Sequence, residues 1–323
     1  MNPVSPVVDK LLESTIFGSF SRVGYAARSR LESWIDPPSL AGRRILITGA
    51  TSGLGLESAA RLATLGAAIT FVARDETRAQ GAAEKIRARS KSQNIDFILG
   101  DTSDLDDMRR VAKHVLERGS LDVLIHNAGA LSPTRILSAQ GFEVTVAAQL
   151  LGPFLLTRLL LPSLSASQPG RVLTVSSGGM YSQRFDLATL EMPQDGYDGV
   201  VAYAKVKRAQ LVLSHEWAHR VDTRDVLFHA MHPGWTDTPG LAASLPRFHS
   251  VARPWLRTPA QGADTLVWLA GAREPLETSG TFWLDRHPRW EHKVPWTRSH
   301  DPGRDQVRLW DWCVARTEKT DSA

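Results

Sequence analysis

Tyr203 and Lys207 stand four residues apart in the segment YAKVK. On a helix that spacing puts both side chains on one face, so an ammonium can sit close to a phenol. A free tyrosine titrates at a pKa of about 10 and is a poor base at neutral pH, but a neighbouring cation favours its phenolate. Such a pair can pass a proton to or from a reacting oxygen. Tyrosine and lysine also fall four apart on ordinary charged helix faces, so the rest of the chain has to supply the reaction.

A site for a reaction partner lies upstream. The segment TGATSGLG (48–55) follows the apolar run RILIT (44–48) and opens a helical stretch, with Gly49, Gly53 and Gly55 in the turn. A strand, a glycine turn and a helix N-terminus make an anion site: free backbone N–H groups and the helix dipole point outward, and residues without side chains let a pyrophosphate approach them. No Lys-Ser or Lys-Thr pair follows, so the loop is not of the Walker type. Its place at the first strand-to-helix turn points to a dinucleotide. A competing motif, HEWAH (215–219), satisfies His-Glu-x-x-His, with His215 and His219 on one helix face as zinc ligands must be. A third ligand is missing, because Asp222 and Asp225 stand where the extended zinc motif needs glycine and histidine, and the next glutamate is Glu274. No metal is expected.

These residues need elements to hold them. Apolar runs of strand length occur at RILIT (44–48), AITFVA (68–73), DFILG (96–100), DVLIH (122–126), RVLTV (171–175) and VLFHAM (226–231), and stretches of helical spacing lie between them. Strands that are apolar throughout and alternate with helices predict an α/β fold, a Rossmann-type doubly wound parallel sheet with helices on both faces. The sequence divides into a helical N-terminal arm and linker (1–39), a dinucleotide-binding domain (40–285) and a C-terminal extension (286–323). The linker reading rests on WIDPPSLAG (34–42), whose prolines and glycine cannot continue a helix. Seven of the ten tryptophans lie after residue 250, so the extension is expected to be packed rather than loose.

Composition excludes other classes. A chain of 323 residues with 42% hydrophobic and 22% charged residues can bury a substantial core. Its 38 basic against 34 acidic residues, without a basic run, give no footprint for nucleic acid. One cysteine, Cys313, allows no internal disulfide and favours a reducing compartment, the cytoplasm. No run of eighteen apolar residues predicts a membrane span. In the arm, Val4, Val7, Val8, Leu11, Leu12, Ile16 and Phe20 recur at helical steps and are expected to pack on the protein's own body. The alternative is a membrane surface, with Lys10, Arg22, Arg28 and Arg30 meeting anionic lipid.

Taken in order, TGATSGLG, HNAG (126–129), VSSGGM (175–180), YAKVK and HPGWTDT (232–238) resemble the motifs of the short-chain dehydrogenase/reductase superfamily. SSGGM (176–180) and AQGADT (260–265) resemble an orphan branch of it. The resemblance implies that Tyr203 donates or accepts the proton, that Lys207 tunes it and holds the ribose, and that Ser177 binds the substrate oxygen. It further implies that Gly49, Ser52, Gly53, Leu54, Gly55, Asn127, Ala128, Gly129, Pro233, Gly234 and Thr238 line the cofactor. Where NAD-preferring members end the second strand on an acidic residue, this chain has Ala73 followed by Arg74, so NADP is expected, with Arg74 on the 2′-phosphate and Asp101 beside the adenine. Two positions depart from the pattern. Gln149 stands where most members carry a relay asparagine, and His126, read as a satisfied strand-end histidine, replaces the first asparagine of Asn-Asn-Ala-Gly. The expected activity is an NADP(H)-dependent interconversion of a carbonyl and an alcohol on a small substrate, which the apolar LAASLPRF (241–248) suggests is lipophilic. A dinucleotide-binding scaffold or redox sensor without turnover is the alternative that Gln149 keeps open. The resemblance is also compatible with a homo-oligomer.

Overall fold

Each of the six apolar runs forms a strand in the computed structural model, which describes residues 5–318. The strands are β1 (Arg44–Thr48), β2 (Ala68–Ala73), β3 (Ile95–Leu99), β4 (Val123–His126), β5 (Gly170–Val175) and β6 (Val226–Met231), followed by two short ones, β7 (Thr281–Leu284) and β8 (His287–Pro288). They form one sheet in the order β3-β2-β1-β4-β5-β6-β7-β8. All pairs are parallel except β7 with β8. The register sets Thr48 opposite Val72 on one side and His126 on the other, so the ends of the central strands finish level. The order reverses between β1 and β4, and that switch point is where open sheets of this kind leave a crevice.

Alternation along β1 separates the two cores. Ile45 and Ile47 face the helices Gly53–Thr64, Glu76–Ser90 and Pro259–Gly271, while Leu46 faces Leu105–Leu116, Val144–Ser165 and Gly199–Arg220. These side chains are fully buried, and each such burial contributes about 1.5–3 kcal/mol. Helix starts are specified locally: Asp75, Asp104 and Asp198 each accept backbone N–H groups of the first turn. The segment Val144–Ser165 is long and apolar enough to cross a membrane, although it holds no unbroken apolar run of eighteen residues. Most of it is buried against the sheet, with Phe154, Leu156 and Leu160 in the core, so it is a core helix. Its start contains a π-helical turn, Ala147–Leu151, which frees the Gln149 carbonyl to accept from Gln210 Nε2 at 2.6 Å.

The ends differ from the sequence reading in part. The C-terminal helix Pro302–Thr317 buries Leu309 and Cys313, and Trp310 packs on Trp217 at 4.6 Å between ring centroids. The arm is three helices, Ser5–Glu13, Ile16–Phe20 and Arg22–Leu31, because Thr15 and Ser21 cap new helix starts. Its expected apolar packing is corrected. Of that face Phe20 is buried, Val8 and Leu12 are half-buried, and Val7, Leu11 and Ile16 are exposed; Val4 lies outside the described residues. The arm docks through charge instead. Asp9 binds Arg28 (2.6 Å) and Arg289 (2.7 Å), Glu13 pairs with Lys293, and Arg28 reaches Asp285 (2.7 Å). Arg28, expected among the cations that would meet lipid, is 1% exposed and serves this lock.

Candidate active site

The crevice is built first by backbone. Gly49 has φ of +74°, and a Cβ there would lie 2.7 Å from Ala128 Cα, so only glycine lets the first turn run against HNAG. A Cβ on Gly55 would meet Gly49 O at 2.3 Å and Asn127 Nδ2 at 2.5 Å. Asn127 ties the turn by donating Nδ2 to the carbonyls of Thr48 (3.2 Å) and Gly49 (2.9 Å). Thr48 Oγ1 in turn accepts from the N–H groups of Asn127 and Ala128. The helix Gly53–Thr64 begins at Ser52 with no side chain capping its N–H groups, and Leu54 is buried behind them. A Cβ on Gly53 would lie 3.4 Å from Thr238 Cβ, which places Thr238 across from the glycine turn. An uncapped helix N-terminus facing a cleft that side chains have been kept out of suits a dinucleotide pyrophosphate.

Beside it stand the candidate catalytic groups. Ser177 lies just past β5 and caps the turn Gly178–Ser182, accepting from Gly179 N–H at 3.2 Å. Its side chain lies close enough to the Tyr203 hydroxyl to favour the phenolate. Lys207 Nζ donates to Val175 O at 2.8 Å and lies 5.2 Å from the Tyr203 ring centre. The phenolate expected beside this lysine is not favoured in the free chain. Burial pushes Tyr203 up to about 12, against the opposing effect of Ser177, and burial brings Lys207 down to about 7. Gln149 comes to the same place: a Cβ on Gly129 would lie 2.9 Å from Gln149 Oε1 and 3.4 Å from Lys207 Nζ. Gln149 Nε2 donates to Ala130 O at 2.8 Å, and its Oε1 has no partner among the described residues.

The remaining expected residues come from the ends of β2, β3 and β4 and from the turn after β6. Arg74 and Asp101, after β2 and β3, pair at 3.6 Å with Arg74 69% exposed, so the guanidinium is accessible and only weakly held. Gly234, in the turn after β6, donates to His232 Nδ1 at 3.2 Å, and Pro233 O accepts from Thr236 Oγ1 at 3.1 Å. His126 is buried, bonded through Nε2 to Thr157 Oγ1 at 2.7 Å, and burial brings it down to about 3, so it stays neutral. Its Nδ1, with Gln149 Oε1 and Gln210 Oε1, lines a cavity of about 30 Å³ without a partner among the described residues. That size and polarity suit one ordered water. In HEWAH, His215 is bonded to Glu291 at 2.7 Å and Glu216 to Arg220 at 2.5 Å. Among the described residues no three His, Cys, Asp or Glu side chains group as a metal site requires.

Sequence reasoning missed the support of this site. Phe20 from the arm stacks edge-on to His232 at 4.4 Å and sits so close to Gly178 that a Cβ there would be 2.7 Å from its ring. Phe20 O accepts from Trp235 N–H at 2.8 Å and from Arg257 Nε at 3.0 Å. Arg257 also reaches Pro233 O at 3.4 Å and binds both Asp285 oxygens at 2.5 and 2.8 Å. No local pattern signals the contacts of Phe20, whose partners lie far along the chain.

The model of the short chain dehydrogenase family matches residues 43–247. The chain is 38% identical to human dehydrogenase/reductase SDR family member 12 over 82% of its own length and 83% of that protein's. It is 31% identical to human retinol dehydrogenase 14, over 87% and 88%. A short chain dehydrogenase from Escherichia coli CFT073, crystallised with NADPH, superposes with a TM-score of 0.63 at 25% identity, covering 77% of this chain and 98% of that one.

Proposed function

Because the chain belongs to the short chain dehydrogenase family of oxidoreductases, we propose that it is an NADP(H)-dependent enzyme interconverting a carbonyl and an alcohol on a small lipophilic substrate. The observation that carries this reading is the meeting of Ser177, Tyr203 and Lys207 beside an uncapped helix N-terminus. Residues 40–285 would form the catalytic unit, with the arm and the C-terminal extension bracing it, in the cytoplasm.

In the direction of reduction, the hydroxyls of Ser177 and Tyr203 would hold the substrate oxygen between them, and Tyr203 would give it a proton as negative charge develops there. NADP(H), when bound in the crevice, supplies the hydride or takes it back. Lys207 has three N–H donors and spends one on Val175 O, leaving two for a ribose and for the tyrosine side. Phosphates nearby would favour its charged form, and the ammonium would then lower the phenol for the reverse reaction. Arg74 would exchange its exposed pairing with Asp101 for a 2′-phosphate. The name of retinol dehydrogenase 14 specifies an apolar alcohol for that relative, which supports a lipophilic substrate here.

Turnover with a panel of aliphatic, aromatic and steroid-sized carbonyl compounds, with NADPH and NADH in parallel, tests the reading. NADPH-linked reduction of at least one apolar member is expected. Tight NADPH binding with no turnover across the panel would support a silent dinucleotide-binding scaffold instead.

A further inference from the structure

The N-terminal arm is amphipathic with its polarity reversed. Toward the body it presents Asp9, Glu13 and Arg28, held by Arg289, Lys293 and Asp285. Toward the outside it leaves Val7 at 70%, Leu11 at 72%, Ile16 at 58%, Phe17 at 44% and Val23 at 48% exposure. A helix that only covers its own domain would carry the opposite arrangement. The apolar face continues onto the neighbouring segment. Phe17 meets Trp255 edge-on at 5.7 Å, and Trp255 and Val251 are themselves exposed.

Charge around this face has one sign. Lys10, Arg22, Arg30, Arg247 and Arg253 are exposed, and none has an ion-pair partner among the described residues. The acids close to them are already engaged: Asp9 and Glu13 in the lock, Glu32 with His287, and Asp237 with His249. Apolar side chains with a tryptophan among them, bordered by unpaired cations, have the composition of a surface that lies in an anionic lipid interface. We infer that the arm and the 247–255 segment dock this protein on an anionic membrane surface. The docked face adjoins the candidate active site, since Phe20, three residues beyond Phe17, packs on His232, Tyr181 and Gly178, next to Ser177. A lipophilic carbonyl compound dissolved in the bilayer would then reach the cleft without crossing water. Docking itself does not depend on the proposed reaction.

Flotation of the full chain with vesicles of phosphatidylcholine, with and without phosphatidylserine, tests this by a readout separate from activity. Binding to the mixed vesicles is expected to be at least about tenfold tighter than to phosphatidylcholine alone, and to weaken as salt rises. Val7→Asp with Leu11→Asp, at positions too exposed to matter for folding, should abolish flotation, and Arg22→Glu with Arg253→Glu should erase the preference for phosphatidylserine. Trp296→Ala, at an exposed tryptophan outside the arm and the 247–255 segment, should float as the unaltered chain does. Failure of the unaltered chain to float with either vesicle, or flotation unchanged by Val7→Asp with Leu11→Asp, overturns the proposal. A dimer that those two substitutions convert to monomer would overturn it in favour of a second copy on this face.

Discussion

Lys207 is buried, and burial disfavours its charged form. Burial brings its pKa in the folded chain down to about 7 from the ordinary 10.5, so between those limits the unfolded chain binds more protons. Stability from this group therefore rises with pH across that window, and below about 7 the folded state bears the full penalty of a buried ammonium. Urea melts of the unaltered chain and of Lys207→Met should show the variant more stable near neutral pH, with the gap closing toward pH 10.5; a constant gap would place the lysine in solvent. At Arg74, a charge-assisted bond to a 2′-phosphate is worth about 1.5–3 kcal/mol, so NADPH should bind roughly tenfold or more tightly than NADH, and Arg74→Ala should remove most of that difference in a fluorescence titration. The candidate site was legible at this scale wherever one residue type is indispensable: Gly49 at positive φ, and Tyr203 with Lys207 one turn apart. The environment of Lys207 was not, because desolvation depends on Val175 and Gly129, which come from other strands and loops. Gln149 was visible as a departure, but its orphaned Oε1 beside Lys207 is a fact of three-dimensional packing.

Among the elements, the arm and the turn after β6 are joined by one buried ionic group. Asp285 answers both Arg28 and Arg257, and Arg257 carries the carbonyls of Ser19, Phe20 and Pro233. Asp285→Asn leaves two buried guanidinium groups short of a counter-charge and should destabilise the chain by about 3–5 kcal/mol. It should also weaken NADPH binding, because the Pro233–Gly234 turn loses its brace. By contrast, Arg43→Ala removes an exposed arginine from its pair with Asp122, whose carboxylate keeps the Arg44 N–H, and should cost no more than about 1 kcal/mol. Denaturant melts of the two variants, with an NADPH titration of each, check both halves; equal small losses would show that Asp285 does not hold the arm. The six parallel strands were readable because burial on both faces makes them apolar throughout. Thr281–Leu284 and His287–Pro288 were not, being too short to show a period, and the arm's partners at Asp285, Arg289 and Lys293 lie too far along the chain for any local pattern.

Across the whole molecule, the sheet order reverses between β1 and β4, and the cleft opens where the glycine turn, HNAG, Ser177 and the turn after β6 converge. In our proposal this cleft both binds NADPH and turns over a carbonyl through Tyr203. Tyr203→Phe removes one hydroxyl and leaves the ring, so the most direct measurement pairs its turnover number with its NADPH dissociation constant, on a carbonyl compound that the unaltered chain reduces. Turnover is expected to fall by roughly 10²- to 10⁴-fold with NADPH binding unchanged within about twofold. Full turnover in Tyr203→Phe would rule this out and leave Tyr203 and Lys207 as packed neighbours on one helix.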